Sequence, residues 1–393
     1  MIFTGVFLSG FVMSEPAPYE LVMAAQIVVW FLAGLTISKT VAIPLCLLLL
    51  FNTGGLLSLT VMSDIGDAPM YFAVSTFLAL STVLYAAVVE DRPHRLELIF
   101  KAWIAASIIT AILGILGYFH AFPGAGIFTR YDRAMGAFED PNVFGPYLVA
   151  PILYLLYRLL TGRLSHAPLL IVGLAILVFG VFLSFSRAAW GLLLFGGTAL
   201  VFLLLLKERS SAFRLKILAL SIAAVLFLAL ALIIAMQFDQ VSELFTTRAR
   251  LVQDYDGARL GRFERHKIGF LLSMERPLGL GPMELGMMYG EDEHNIWLKS
   301  LTTYGWLGFL SYVTLIVTTV GFGFRYLLRQ RPWQPYLIIG WIMIVGHSLI
   351  GNVIDTDHWR HFYLLLGIVW GCIALEHKHG NQQRLRRAVS RPA

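Results

Sequence analysis

Apolar runs of roughly the 17 to 25 residues needed to cross a bilayer recur along nearly the whole chain of 393 residues. They lie at 19–37, 41–61, 70–89, 98–118, 144–160, 167–184, 188–206, 215–236, 295–324, 335–353 and 361–376. Runs of this length and apolarity are transmembrane helices, so the chain is expected to be an all-α polytopic membrane protein with eleven spans. Residues 1–13 are apolar but short, and they lack the basic start and small-residue cleavage site of a signal peptide. They add a marginal twelfth. Composition agrees: 58% of residues are hydrophobic and only 14% charged, against about 25% charged in soluble domains, and the mean hydropathy is +0.74.

Lys and Arg set the orientation, because short loops rich in them stay on the cytoplasmic side. Lys39, Arg92 with Arg95, Arg158 with Arg163, the run KERSSAFRLK (207–216), Arg325 with Arg329 and Arg331, and the tail KHGNQQRLRR (378–387) fall at alternate connections. The other connections, 63–69, 119–143, 184–187, 237–294 and 351–360, are therefore expected outside. With residues 1–13 counted as a span, both termini are cytoplasmic, and the one large outer loop lies between the ninth and tenth helices.

The net charge of +6 is mostly used up by this topology. No basic and aromatic stripe marks a nucleic-acid groove. Cys46 and Cys372 both sit in apolar runs, so neither a disulfide framework nor a cysteine metal site is expected. No internal repeat and no Pro- or Ser-rich linker is visible, and residues 1–393 read as a single integral membrane domain.

The outer segment 237–294 is far longer than an ordinary connection, which marks it as functional or disordered. Its pattern favours order. Phe263, Lys267, Phe270, Leu271 and Met274 recur at helical spacing, while Arg262, Arg265, His266 and Gly269 follow the opposite face. This predicts a helix lying on the outer membrane surface, then a turn at PLGLGP (277–282), then three acids leading to His294.

Several polar residues gather at the expected outer edge. Arg187 ends GVFLSFSRAAWG (180–191), where a charge in an apolar run is costly and needs either a snorkelling exit or a task. With Arg262 it suggests an anion site, since guanidinium forks grip phosphate oxygens two at a time and stay charged. His294 opens a helix pattern, as a cap or as a general base for a hydroxyl. The cluster DTDHWRHF (355–362) places Asp355 and Asp357 at another outer helix start, suited to orienting His294, to binding an acceptor or simply to anchoring. In GAFEDPNVFGPYL (136–148), Asp140 and Asn142 cap a helix opened by Pro141 and also suit sugar hydroxyls. No HxxxH or DxD spacing supports a metal site.

The order DPNxFG, FSRAAWG, an outer loop with GR (261–262) leading through RPLGLGPMEL, then EHNIWL and YGWLGF resembles the O-antigen ligase and O-antigen polymerase superfamily of bacterial envelope glycan enzymes. The likeness spans about residues 130–372. It implies a helical inner-membrane glycosyltransferase of about twelve spans that uses undecaprenyl-diphosphate-linked glycans on the periplasmic face, with no metal or other cofactor. The family's loop arginine falls on Arg262, its membrane-edge arginine on Arg187 and its loop-end histidine, followed by Asn295, on His294. Arg259 and Arg265 stand close enough to exchange with Arg262.

The resemblance implies that the arginines hold the donor's diphosphate while His294 deprotonates an acceptor hydroxyl, which attacks the anomeric carbon with inversion. The acceptor is lipid A core for a ligase, or a second lipid-linked unit for a polymerase. The HNxxL-type motif and the single large late loop are closer to the ligase. A transporter or flippase of an anionic lipid or solute is the alternative of another class, and it predicts interrupted helices at mid-membrane in two related halves. None lie in matching positions.

Overall fold

The structure is a computed structural model and describes residues 1–207, 210–248 and 261–389. Helices α1 (Ile2–Leu8), α2 (Pro18–Leu32), α3 (Lys39–Ser58), α4 (Ala68–Asp91) and α5 (Arg95–Tyr118) fill most of the first 118 residues. A small hairpin of Thr129–Arg130 and Arg133–Ala134 follows. Next come α6 (Pro141–Thr161), α7 (Ala167–Leu183), α8 (Arg187–Lys207), α9 (Ser211–Ala235) and α10 (Asp239–Arg248). The last part holds α11 (Arg262–Glu275), α12 (Glu284–Tyr289), α13 (Ile296–Thr302), α14 (Gly305–Tyr326), α15 (Gln334–Ile350) and α16 (Arg360–Val389).

Each of the eleven expected spans falls on helix, so the chain is an all-α polytopic membrane protein. Among the described residues six helices are long and apolar enough to cross a membrane: Lys39–Val61, Ala68–Asp91, Arg95–Tyr118, Pro141–Thr161, Arg187–Lys207 and Gly305–Tyr326. Pro18–Leu32, Ala167–Leu183 and Gln334–Ile350 are shorter apolar helices. One expected span is divided. The run 295–324 breaks at Thr303 and Tyr304, and Gly305 adopts φ +64°, a left-handed conformation that glycine takes without steric cost.

Contacts group the chain into two compact units, Met1–Val22 with Glu97–Gln253, and Met23–Leu96 with Asp254–Ala393. In the first, α6 packs against α7, α8 and α9. A Cβ on Gly145 would come within 2.7 Å of Ala189 Cβ and 2.8 Å of Ser184 Oγ. The glycine of DPNxFG thus lets α6 cross tightly over the turn that carries FSRAAWG.

In the second unit α16 lies along α4, and α14 along α3. Gly367 and Gly371 are four residues apart on α16, and a Cβ on either would meet Tyr85 Cβ at 2.5 Å or Val89 Cβ at 2.7 Å on α4. Small residues at this spacing bring helix backbones close inside a bilayer, where packing replaces the hydrophobic effect between helices. The Thr82 hydroxyl adds a hydrogen bond to the Tyr363 carbonyl, at 3.0 Å. Gly54 on α3 does the same against the Tyr304 carbonyl and Gly308, and Phe51 stacks on Tyr304 with ring centres 3.8 Å apart. These two crossings bring Tyr71, near the start of α4, and Tyr304, just before α14, to the loop that precedes α16.

Candidate active site

The division at residues 303–304 is closed by the turn at PLGLGP. Leu280 N–H donates to the Thr302 carbonyl at 2.6 Å, and Trp306 N–H donates to the Pro277 carbonyl at 3.0 Å. Buried backbone groups freed by a helix break need such partners. The approach leaves no room for side chains: a Cβ on Gly305 would lie 2.7 Å from the Leu278 carbonyl carbon, and one on Gly279 2.7 Å from the Thr302 oxygen. The glycines of RPLGLGP and YGW are therefore two halves of one backbone junction, which anchors the turn after α11 to the start of α14.

From that junction α11 runs with its two faces separated as the pattern predicts. Phe263, Phe270, Leu271 and Met274 are exposed, whereas Arg265, Gly269 and Ser273 are buried and His266 is half-buried. The apolar face looks outward. On the inner face, Arg265 pairs with Glu291 at 2.6 Å, and His266 Nε2 donates to the Glu293 carbonyl at 2.6 Å. Arg262 is the first residue of α11, after the N-cap Gly261; its side chain, like all of Arg259, lies outside what the structure describes.

The three acids before His294 are each engaged elsewhere. Glu291 holds Arg265, Asp292 lies 3.9 Å from Lys299, and the buried Glu293 carboxylate accepts the Thr302 hydroxyl. Burial pushes Glu293 up to about 7, against the opposing pull of Lys299 and Thr302. The carboxylate that faces the histidine comes from the loop before α16: Asp355 Oδ2 stands 3.8 Å from His294 Nδ1. His294 itself has φ +48°, a left-handed region that few non-glycine residues enter and one of the strained conformations that cluster at functional sites. Asn295 takes the N-cap of α13, its side chain accepting Leu298 N–H at 3.1 Å.

Asp355 and Asp357 flank the ammonium of Lys299, at 3.4 Å and 4.0 Å. Asp357 also accepts the hydroxyl of Tyr71 and, at 3.4 Å, that of Tyr304, and lies 3.1 Å from His358 Nδ1. Burial alone would raise Asp357, but Lys299 and His358 outweigh it and hold the carboxyl well below the usual range. Asp355 moves the other way, raised by burial and by Asp357 despite Lys299. Two carboxyl groups on one lysine are thus pushed apart by their surroundings, the arrangement that separates acid and base roles in enzyme sites.

The first unit holds the remaining expected residues. Asp140 caps α6 by accepting Asn142 N–H at 2.7 Å. Arg133 is buried in the hairpin; its Nε donates to the Ser184 carbonyl and its Nη2 to the Asn142 amide oxygen, each at 2.7 Å. This one guanidinium ties DPN to Ser184, the residue just before FSR. Phe185 has φ +45°, and half-buried Arg187 opens α8 directly after that turn.

Of the residues singled out in the sequence, His294, Asp355, Asp357, Asn295 and Arg265 lie in the second unit, and Arg187, Asp140 and Asn142 in the first. Lys299, Tyr71 and Arg133 stand outside that set. Lys299 carried a readable signal, a lone cation inside the apolar stretch IWLKSLTTYGWLGFL, where ionisable residues mark function by default. Among the described residues no group of three or more His, Cys, Asp or Glu side chains is placed to hold a metal ion.

Residues 172–313 match the family model described as O-antigen ligase. The match reaches from within α7 into α14 and takes in Arg187, Arg262 and His294. It bears out the resemblance to the O-antigen ligase and polymerase superfamily and supports glycan transfer as the activity class. No curated protein matches the chain.

Proposed function

We propose that the protein transfers a glycan from an undecaprenyl-diphosphate carrier to an acceptor hydroxyl at the periplasmic face of the inner membrane, as an O-antigen ligase acting on lipid A core. The observation that carries this reading is His294, held at φ +48° with Asp355 3.8 Å from its Nδ1, which leaves Nε2 for a substrate proton. Nδ1–H directed at the carboxylate makes Nε2 the basic nitrogen.

In the proposed reaction the acceptor oxygen attacks the anomeric carbon as its proton passes to His294 Nε2. The bond from the anomeric carbon to the diphosphate oxygen breaks, and the electron pair leaves with the diphosphate. Arg262, in the same unit as His294, is assigned to that developing charge, for which a planar guanidinium fork is well matched. The free energy comes from the glycosyl diphosphate bond. The outward apolar face of α11 is assigned to the outer leaflet, with its charged face turned into the protein.

The test is direct. Purified protein in detergent receives lipid-linked glycan and either lipid A core or a second lipid-linked unit, with EDTA present, and released undecaprenyl diphosphate is measured. Release that requires lipid A core supports the ligase; release that requires only the lipid-linked unit makes the protein a polymerase. No release with either acceptor overturns the reading.

A further inference from the structure

We infer that Lys299 is a positioning residue for this transfer: its buried ammonium fixes Asp355 against His294 and so sets the orientation of the imidazole. The inference rests on the glycan-transfer reading and adds to it a residue outside the histidine and arginine set.

The argument comes from an asymmetry between the two carboxylates that share the lysine. Asp357 has other anchors, the hydroxyls of Tyr71 and Tyr304 and the ring of His358. Asp355 has fewer. Its Oδ2 lies 3.4 Å from Lys299 Nζ, while its Oδ1 is buried with no hydrogen-bond partner among the described residues. Remove the ammonium and Asp357 keeps its network. Asp355 loses its one hydrogen bond and stands beside a like charge in a buried site, where protonation relieves the repulsion. A neutral Asp355 no longer orients His294 Nδ1.

Lys299 is itself held firmly. Only 9% of its side chain is exposed, Asp292 approaches it from the preceding loop at 3.9 Å, and the Tyr71 ring lies 5.8 Å from Nζ. A lysine so enclosed costs too much to bury for packing alone. The groups facing this cluster are Asp292, Glu293 and His294 from the segment before α13, Asp355, Asp357 and His358 from the loop before α16, Tyr71 from α4, Tyr304 before α14, Tyr312 from α14 and Tyr363 from α16. Burial already raises Asp355 despite Lys299, so losing the cation moves its ionisation further upward.

The experiment compares single-turnover transfer, donor affinity and pH profile in wild type, Lys299→Met, Lys299→Arg, Asp355→Asn and the double variant Lys299→Met with Asp355→Asn. Misplacing a reacting group by about 1 Å costs about 10²-fold, so Lys299→Met should slow transfer by about that factor with donor affinity unchanged. Its loss should shrink as pH rises, and Lys299→Arg should recover most of the rate. The double variant also guards against a Lys299→Met protein that fails to fold, since it removes both charges together; it should be no slower than Asp355→Asn alone. A multiplicative loss in the double variant, or a Lys299→Met defect equal at every pH, overturns the positioning role. A wild type that transfers nothing removes the glycan-transfer reading and the role of Lys299 with it, whereas an active wild type with a silent Lys299→Met overturns Lys299 alone.

Discussion

Asp355 Oδ2 lies 3.8 Å from His294 Nδ1, although the two residues are 61 positions apart in the chain. This is just beyond hydrogen-bond range, and catalytic pairs in unliganded sites often tighten only when substrate binds. His294→Ala should therefore lower single-turnover transfer by about 10²–10⁴-fold while donor affinity, measured separately, stays near wild type. Asp355→Asn should give a smaller loss. A His294→Ala protein that transfers at more than about a tenth of the wild-type rate would remove the histidine from the base role.

The arginines should show a geometric requirement as well as a charge requirement. Arg262→Lys and Arg187→Lys keep a cation but lose the planar fork, and each should cost about 10²-fold in transfer with normal membrane insertion. Arg325→Lys, on the expected cytoplasmic side, should be nearly silent. Equal tolerance at all three positions would reduce Arg187 and Arg262 to surface charges.

Glu293 should make stability depend on pH. Burial raises it to about 7 from 4.5, so the folded chain holds a proton that the unfolded chain releases. That contribution is complete below about pH 4.5 and is lost as pH rises through about 7. The loss amounts to roughly 3 kcal/mol. Thermal unfolding in detergent should show wild type falling relative to Glu293→Gln between pH 5 and 8; parallel curves would show that the carboxyl is not protonated in the fold.

The junction at Gly305 should tolerate no side chain. Its φ of +64° costs an alanine roughly 1–2 kcal/mol, and the new Cβ would meet the Leu278 carbonyl group. Gly305→Ala should lower the unfolding temperature and weaken transfer, by displacing the turn that links α11 to the start of α14. An unchanged melting curve would show that the two backbones do not approach this closely.

Orientation can be read with fusions. Alkaline phosphatase joined after residue 250 should be active and after residue 210 inactive, because the basic run 207–216 is expected to stay in the cytoplasm. The reverse pattern would place His294 on the wrong side for a periplasmic glycan.

Much of this was legible in one dimension because a bilayer imposes a linear rule. Length and apolarity alone mark a spanning helix, so all eleven expected runs fall on helix, and the face pattern of α11 follows from the period of the helix. The family likeness was also linear, carried by short segments in a fixed order. The sequence by itself thus determined the class, the helices and the identity of His294 and Arg187 as candidates. Which carboxylate faces His294 was not linear. Glu291, Asp292 and Glu293 are its chain neighbours, yet Arg265, Lys299 and Thr302 engage them. Asp355 reaches the ring only because α16 packs on α4 and α14 on α3 through glycine contacts, which set the height of the loop before α16. The role of Lys299 was hidden for the same reason: a lone cation in an apolar run announces a cost, but only the tertiary structure shows which charges offset it.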